Sequence, residues 1–117
     1  MLLSMLKAKL HCARTTECNR DYEGSLLIDQ DLMDTVKMVP YEKILVANVE
    51  NGKRGETYAI AGERGAGVIA LNGGMAHLAS VGDRLIILSF ALVEEDKTSA
   101  HRPLVLVLDE NNKPVGG

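Results

Sequence analysis

The chain has 117 residues, 46% of them hydrophobic, and 13 Lys+Arg against 16 Asp+Glu give a formal net charge of -3. That length predicts a single domain, 1–117, and the composition excludes intrinsic disorder, a collagen-like repeat and a coiled coil. With no Trp, three Tyr and one Phe, the core must be aliphatic, and the acidic balance with so few rings argues against a nucleic-acid surface.

In chain order, Leu6, Ala8 and Leu10 alternate with Lys7, Lys9 and His11, the period of a half-buried strand. No apolar run reaches the roughly 18 residues of a membrane helix, and Lys7 and Lys9 come too early for a secretory segment. A cytoplasmic protein with no membrane or nucleic-acid partner is expected. Cys12 and Cys18 need no disulfide in a reducing compartment, and with His11 they lack the paired spacing of a zinc motif, so no metal site is expected.

Arg14–Glu17 leads into the turn-rich stretch 18–24, and Ser25–Ile28 reads as a short strand. Asp29 has the chemistry of an N-cap for a two-turn helix over Gln30–Lys37, stopped before Pro40. Ile44–Val49 and Thr57–Ile60 flank Asn51-Gly52, the pair best suited to a tight hairpin turn. Gly62, Gly65 and Gly67 punctuate a turn before the strand Val68–Leu71, and Asn72-Gly73-Gly74 opens a short helix, Met75–Ser80, closed by Gly82. Arg84–Phe90 and Pro103–Leu108 are two further strands, and 109–117 reads as a loose polar tail. Strands outnumber helices without regular alternation, which favours a small closed β-barrel over a doubly wound sheet.

The informative places for chemistry are Tyr22-Glu23-Gly24-Ser25, Lys53-Arg54 with Thr57-Tyr58, and Asn72-Gly73-Gly74. A Gly-Ser pair is ordinarily a turn entering a strand. Its sharper possibility is self-cleavage: Gly24 tolerates backbone angles forbidden to other residues, so its carbonyl can be turned toward the Ser25 hydroxyl. Attack converts the amide to an ester; elimination across Cα–Cβ of Ser25 then breaks the chain and leaves dehydroalanine, which hydrolyses to a pyruvoyl group. Such a group forms an imine with an amino acid and accepts the electrons left when CO2 departs.

Met5-Leu6, Lys9-Leu10-His11, Tyr22-Glu23-Gly24-Ser25, Ile28-Asp29-Gln30-Asp31, Asn51-Gly52-Lys53-Arg54, Thr57-Tyr58-Ala59-Ile60, Asn72-Gly73 and Ala79-Ser80-Val81-Gly82-Asp83 follow one another in an order and spacing that resembles the pyruvoyl-dependent aspartate 1-decarboxylases. The resemblance covers the chain from about Met5 to Phe90. It implies a mainly β, double-psi β-barrel with one or two short helices, assembled as a homotetramer with sites between subunits. It further implies cleavage between Gly24 and Ser25 into chains 1–24 and 25–117, and removal of the α-carboxylate of L-aspartate to give β-alanine for pantothenate synthesis.

By the same resemblance Ser25 becomes the pyruvoyl cofactor and Tyr58 the proton donor to the carbanion, a role open to a phenol within hydrogen-bond reach. Thr57 would hold the carbonyl oxygen during cleavage and contact substrate, with His11, Tyr22 and Asn72 supporting the cleaved loop. Lys9 and Arg54 would bind the substrate carboxylates, Arg54 as a bidentate clamp and Lys9 as a point charge. Gly73, Gly74 and Met75 could present backbone N–H groups to a carboxylate, or form an ordinary glycine turn. Two departures stand out: Gly74-Met75 where the family usually has small alanines, and Gly55-Glu56 where it often has an aromatic residue after the arginine. An uncleaved barrel acting as a binding module is the alternative, because fold alone does not fix function.

Overall fold

A computed structural model describes residues 1–115. Its strands are β1 (Leu2–Arg14), β2 (Glu17–Asn19), β3 (Ser25–Asp29), β4 (Lys43–Asn48), β5 (Arg54–Gly62), β6 (Ile69–Asn72), β7 (Arg84–Glu94) and β8 (Leu104–Val107). One helix, α1 (Gln30–Thr35), and two 3₁₀ segments, Gly73–His77 and Glu95–Ala100, complete the elements of the described residues. The strands form one continuous sheet in the order β2-β6-β3-β5-β4-β7-β1-β8. Three of its pairings, β1/β8, β2/β6 and β3/β5, are parallel, and the others are antiparallel. The architecture is mainly β, a small double-psi β-barrel as the sequence leads one to expect.

Strand alternation explains the core. Ala8, Leu10, Leu26, Ile28, Val46, Ala59, Ile69, Leu71, Leu85 and Ile87 are fully buried, and α1 covers one side with Leu32 and Met33, joined by Val36 at its C-cap. Branched aliphatic side chains suit pleated, close-packed faces, so the scarcity of rings is no handicap. β1 is 13 residues long and must bend around the barrel. It does so at two register shifts against β7, one between Leu6 and Ala8 and one between Ala13 and His11, where Cys12 takes φ 65°.

Several local expectations hold. The Asp29 side chain caps α1 by accepting from the Asp31 N–H at 2.9 Å, and β4 and β5 pair as a hairpin around Asn51-Gly52, with Gly52 at φ 75°. Others change. α1 ends at Thr35, short of Lys37, because Lys37 turns to φ 58° and the chain leaves the helix before Pro40. The expected helix over Met75–Ser80 is a 3₁₀ segment starting two residues earlier, at Gly73.

The segment expected as a loose tail is pinned as far as Val115, while Gly116 and Gly117 lie outside the described residues. Asn112 is buried and takes the Arg14 N–H at 2.6 Å, while its own amide donates to the carbonyls of Arg14 (2.9 Å) and Gly67 (2.8 Å). Three hydrogen bonds to backbone groups far apart in sequence outweigh the segment's polar, glycine-rich composition. Tyr41 also stands out, with φ 72°, a conformation that strains a bulky residue by about 1–2 kcal/mol.

Candidate active site

Register places the expected residues. Ser25, the first residue of β3, pairs with Asn72, the last of β6. On the other side Leu26 pairs in parallel with Ala59 of β5, so Tyr58 stands level with Ser25, and Tyr58 in turn pairs with Lys43. Leu26, Ala59 and Leu71 point into the core, so Ser25, Tyr58 and Asn72 share the opposite face. Arg54, two alternations before Tyr58 on β5, lies on that face too; Thr57 lies on the core side, paired with Ile44.

Although Ser25 is on the outer face, its residue is only 1% exposed. Its hydroxyl accepts from the Asn72 amide at 3.3 Å and makes a long, 3.5 Å contact to the Glu23 carbonyl. The Asn72 amide is itself oriented: its oxygen accepts from the Asn19 side chain at 3.2 Å, which turns its nitrogen toward Ser25. Asn19 is therefore a positioning residue that sequence reading missed; only its place on β2, paired with Asn72, reveals it.

The loop before Ser25 is exposed, Tyr22 by 64%, and lies across Gly73. A Cβ at Gly73 would sit 2.7 Å from both Cα and N of Gly24 and 2.8 Å from the Tyr22 carbonyl oxygen, and Gly73 has φ 65°. Gly24 itself is not among the glycines with positive φ; its neighbour in space, Gly73, is where the geometry demands a glycine.

The 3₁₀ segment after Gly73 extends toward the start of β5. Arg54, Gly74 and Met75, with Lys53 and His77, line an open depression of about 470 Å³. The two departures from the family pattern meet there, since a Cβ at Gly55 would contact the Met75 sulfur at 3.4 Å. Met75 occupies space that a side chain at position 55 would otherwise take. The hairpin and the 3₁₀ segment are clamped together by the Leu78 carbonyl, which accepts from Asn48 (3.1 Å) and Asn51 (3.2 Å). Asp83 closes the clamp, accepting from the Asn48 amide and the Ser80 N–H, each at 3.0 Å.

Lys9 and His11 stand apart, on β1, four positions from β3 in the sheet order, and among the described residues neither is hydrogen-bonded to Ser25. Nδ1 of His11 is buried without a partner. Thr57 makes no hydrogen bond to Ser25 or Gly24 among the described residues. Cys18 donates to the Ala79 carbonyl at 3.2 Å, and burial, then the charge of Asp83, pushes its thiol pKa up, away from reactivity. No helix of the described residues is long and apolar enough to cross a membrane.

The chain as a whole is similar to proteins named aspartate 1-decarboxylase. The aspartate 1-decarboxylase of Geobacillus sp. (strain WCH70) is 50% identical over 113 residues, 97% of this chain and 89% of its own. That of Leptospira biflexa serovar Patoc is 50% identical over 115 residues, 97% and 98% of the two chains. That of Thermoanaerobacter pseudethanolicus is 47% identical over 111 residues, 95% of each. The family model described as "Aspartate decarboxylase" matches residues 1–115. The chain belongs to the aspartate decarboxylase family.

Proposed function

We propose that this chain removes the α-carboxylate of L-aspartate to give β-alanine and CO2, using a pyruvoyl group made from its own Ser25, as a cytoplasmic homotetramer serving pantothenate synthesis. The observation that carries the reading is the Gly24–Ser25 junction. Its hydroxyl is buried and held by Asn72, while its glycine side rests on Gly73, where no other residue would leave room.

Maturation uses groups already in place. The Ser25 oxygen attacks the Gly24 carbonyl carbon, and the amide nitrogen leaves as an amine, giving an ester. Loss of the Ser25 Cα proton expels Gly24 as a carboxylate and creates a carbon–carbon double bond; water then replaces the amine, released as ammonia, with a keto oxygen. The Asn72 side-chain N–H holds the attacking Ser25 oxygen, and an exposed loop allows the new termini to part.

The pyruvoyl group supplies an electrophilic carbonyl that takes the substrate amine and draws off the electron pair released with CO2. The chain does the rest. Arg54 binds a substrate carboxylate through paired N–H donors, in the depression shared with Gly74 and Met75. Tyr58, level with Ser25 on the same face, delivers a proton from its hydroxyl to the product carbon. Lys9 and His11 reach the site from a neighbouring copy. Assembly is supported by apolar side chains exposed on β7 and β8, the two strands that flank β1, where Phe90, Leu92, Leu104, Val105 and Val107 are 39–68% exposed.

Denaturing mass spectrometry of aged protein tests the reading. Two pieces, 1–24 and a keto-blocked 25–117, are expected, and Ser25→Ala should yield neither pieces nor β-alanine. A persistent intact chain would overturn it. Tyr58→Phe should cleave normally but lose turnover by about 10²-fold or more.

A further inference from the structure

Pro40 and Tyr41 are the central residues of a tight turn closed by a 3.2 Å hydrogen bond from the Glu42 N–H to the Val39 carbonyl. Proline suits the first central position, and Tyr41 takes φ 72° at the second. That is the signature of a type II turn, whose second central position favours glycine or asparagine and strains a bulky side chain. For the turn alone, tyrosine is the wrong residue.

The surroundings nevertheless hold it there. The Tyr41 N–H donates to the Ala59 carbonyl at 2.7 Å, and the Ala59 N–H donates to the Glu42 carbonyl at 3.0 Å. The Glu42 carboxylate accepts from the Val39 N–H at 3.1 Å and from the Lys7 ammonium of β1 at 2.7 Å, an ion pair that is largely buried on the Glu42 side. The turn is thus tied to β5 and β1 at once.

This anchoring sets the Tyr41 ring 6.1 Å from the ring of Tyr58, with 32° between their planes, inside the range of favourable aromatic pairs. Tyr41 remains 77% exposed, so burial within the chain does not account for a strained tyrosine. What the strained backbone achieves is the ring contact. Strain retained by overdetermined surroundings points to a role for the side chain it presents.

We propose that Tyr41 is a positioning residue for Tyr58: its ring, fixed by the strained turn, walls one side of the Tyr58 ring and keeps that phenol directed toward the level of Ser25. The inference rests on the reading of Tyr58 as proton donor. Turn and ring make opposite demands on position 41, and this makes the idea easy to test. Asparagine satisfies the turn and removes the ring; phenylalanine keeps the ring and the strain.

The experiment compares full-length, self-processed wild type with Tyr41→Asn, Tyr41→Phe and Tyr58→Phe, all with 3-fluorotyrosine incorporated for 19F NMR. Tyr41→Asn should process fully, keep its oligomeric state and melt no lower than wild type. Its kcat should fall about tenfold with KM within about twofold, since misdirection of a proton donor acts on the chemical step. Its Tyr58 fluorine signal should move or broaden. Tyr41→Phe should retain kcat within about twofold and leave that signal in place. Wild-type kcat in Tyr41→Asn beside a crippled Tyr58→Phe would overturn the proposal and leave the role of Tyr58 intact. A Tyr41→Phe as slow as Tyr41→Asn, or dissociation of Tyr41→Asn, would also overturn it, by assigning position 41 a hydroxyl or interface role. Full turnover by Tyr58→Phe would instead remove the reading on which the proposal rests.

Discussion

At its C-terminal end β3 finishes on Asp29, whose buried carboxylate accepts the N–H groups of Gly67 at 2.8 Å, Asp31 at 2.9 Å and Gly65 at 3.1 Å. At its N-terminal end, four residues away, the Ser25 hydroxyl has one 3.3 Å bond from Asn72 and one 3.5 Å contact to Glu23. The Asp29 end is knitted further, since the Gly67 carbonyl also accepts from the Asn112 amide, the lock that holds the C-terminal segment against Arg14. One short strand thus has an end fixed by redundant bonds and an end, the proposed cleavage point, whose side chain is held by few. The difference teaches that the barrel's integrity does not depend on the Gly24–Ser25 bond, because the strand is anchored from the other side and by its neighbours β5 and β6.

The largest effect is expected where this contrast is sharpest. Gly73→Ala forces a Cβ into Gly24 and the Tyr22 carbonyl at a positive φ, and should slow self-cleavage by at least about 100-fold, read as the intact mass fraction over time. Wild-type cleavage would show that Gly73 does not shape the loop.

Next, Asp29→Ala strands three backbone donors and should lower unfolding free energy by about 3 kcal/mol in urea titrations. Its folded fraction should still cleave at the wild-type rate; loss of cleavage in folded protein would couple the two ends.

The same end should make stability acid-sensitive. Burial raises the Asp29 carboxyl pKa, but the Gly67, Asp31 and Gly65 N–H groups outweigh it and hold the group below its ordinary 3.8. Glu42 behaves alike, burial being outweighed chiefly by the hydrogen bond from Lys7. A pKa lower in the folded state gives stability that is complete above the unfolded value and lost as pH falls through the folded one. Melting temperature should therefore be flat above about pH 5 and drop below about pH 4, with Asp29→Asn flattening the drop. An unchanged pH profile in that variant would assign the acid sensitivity elsewhere.

A smaller loss, about 2 kcal/mol, is expected for Asn112→Ala, which opens the C-terminal lock and leaves turnover untouched. The smallest belongs to Glu50 and Arg84. Hydrogen bonds from Arg84 hold the exposed Glu50 carboxyl at about 2, yet solvent screens such a pair, so Glu50→Gln should leave the melting temperature within error. A clear fall there would mean that the surface pair holds β7 to the hairpin.

Much of the fold was legible because its signals are local. Alternation in Leu6–Leu10, the side-chain chemistry of Asp29 and the Asn51-Gly52 pair each act within a few residues. Of the expected site residues, Arg54 with Gly74 and Met75 do come together. The tail was misread because composition carries no trace of where Asn112 finds its partners. Asn19 was missed because it acts by turning another side chain, and the packing of Gly73 against the loop at Gly24 has no trace in the sequence because the two are distant along the chain.

The sequence by itself determined most of the strands, though not the short β2, that the core is aliphatic, and that one serine follows a glycine. Tertiary structure alone decided that β3 lies between β5 and β6, which brings Asn72 and Tyr58 level with Ser25, and that Gly24 rests on Gly73. The physical reason is range: side-chain period and turn preference are set by neighbouring residues, whereas register and close approach are set by which distant faces can bury each other.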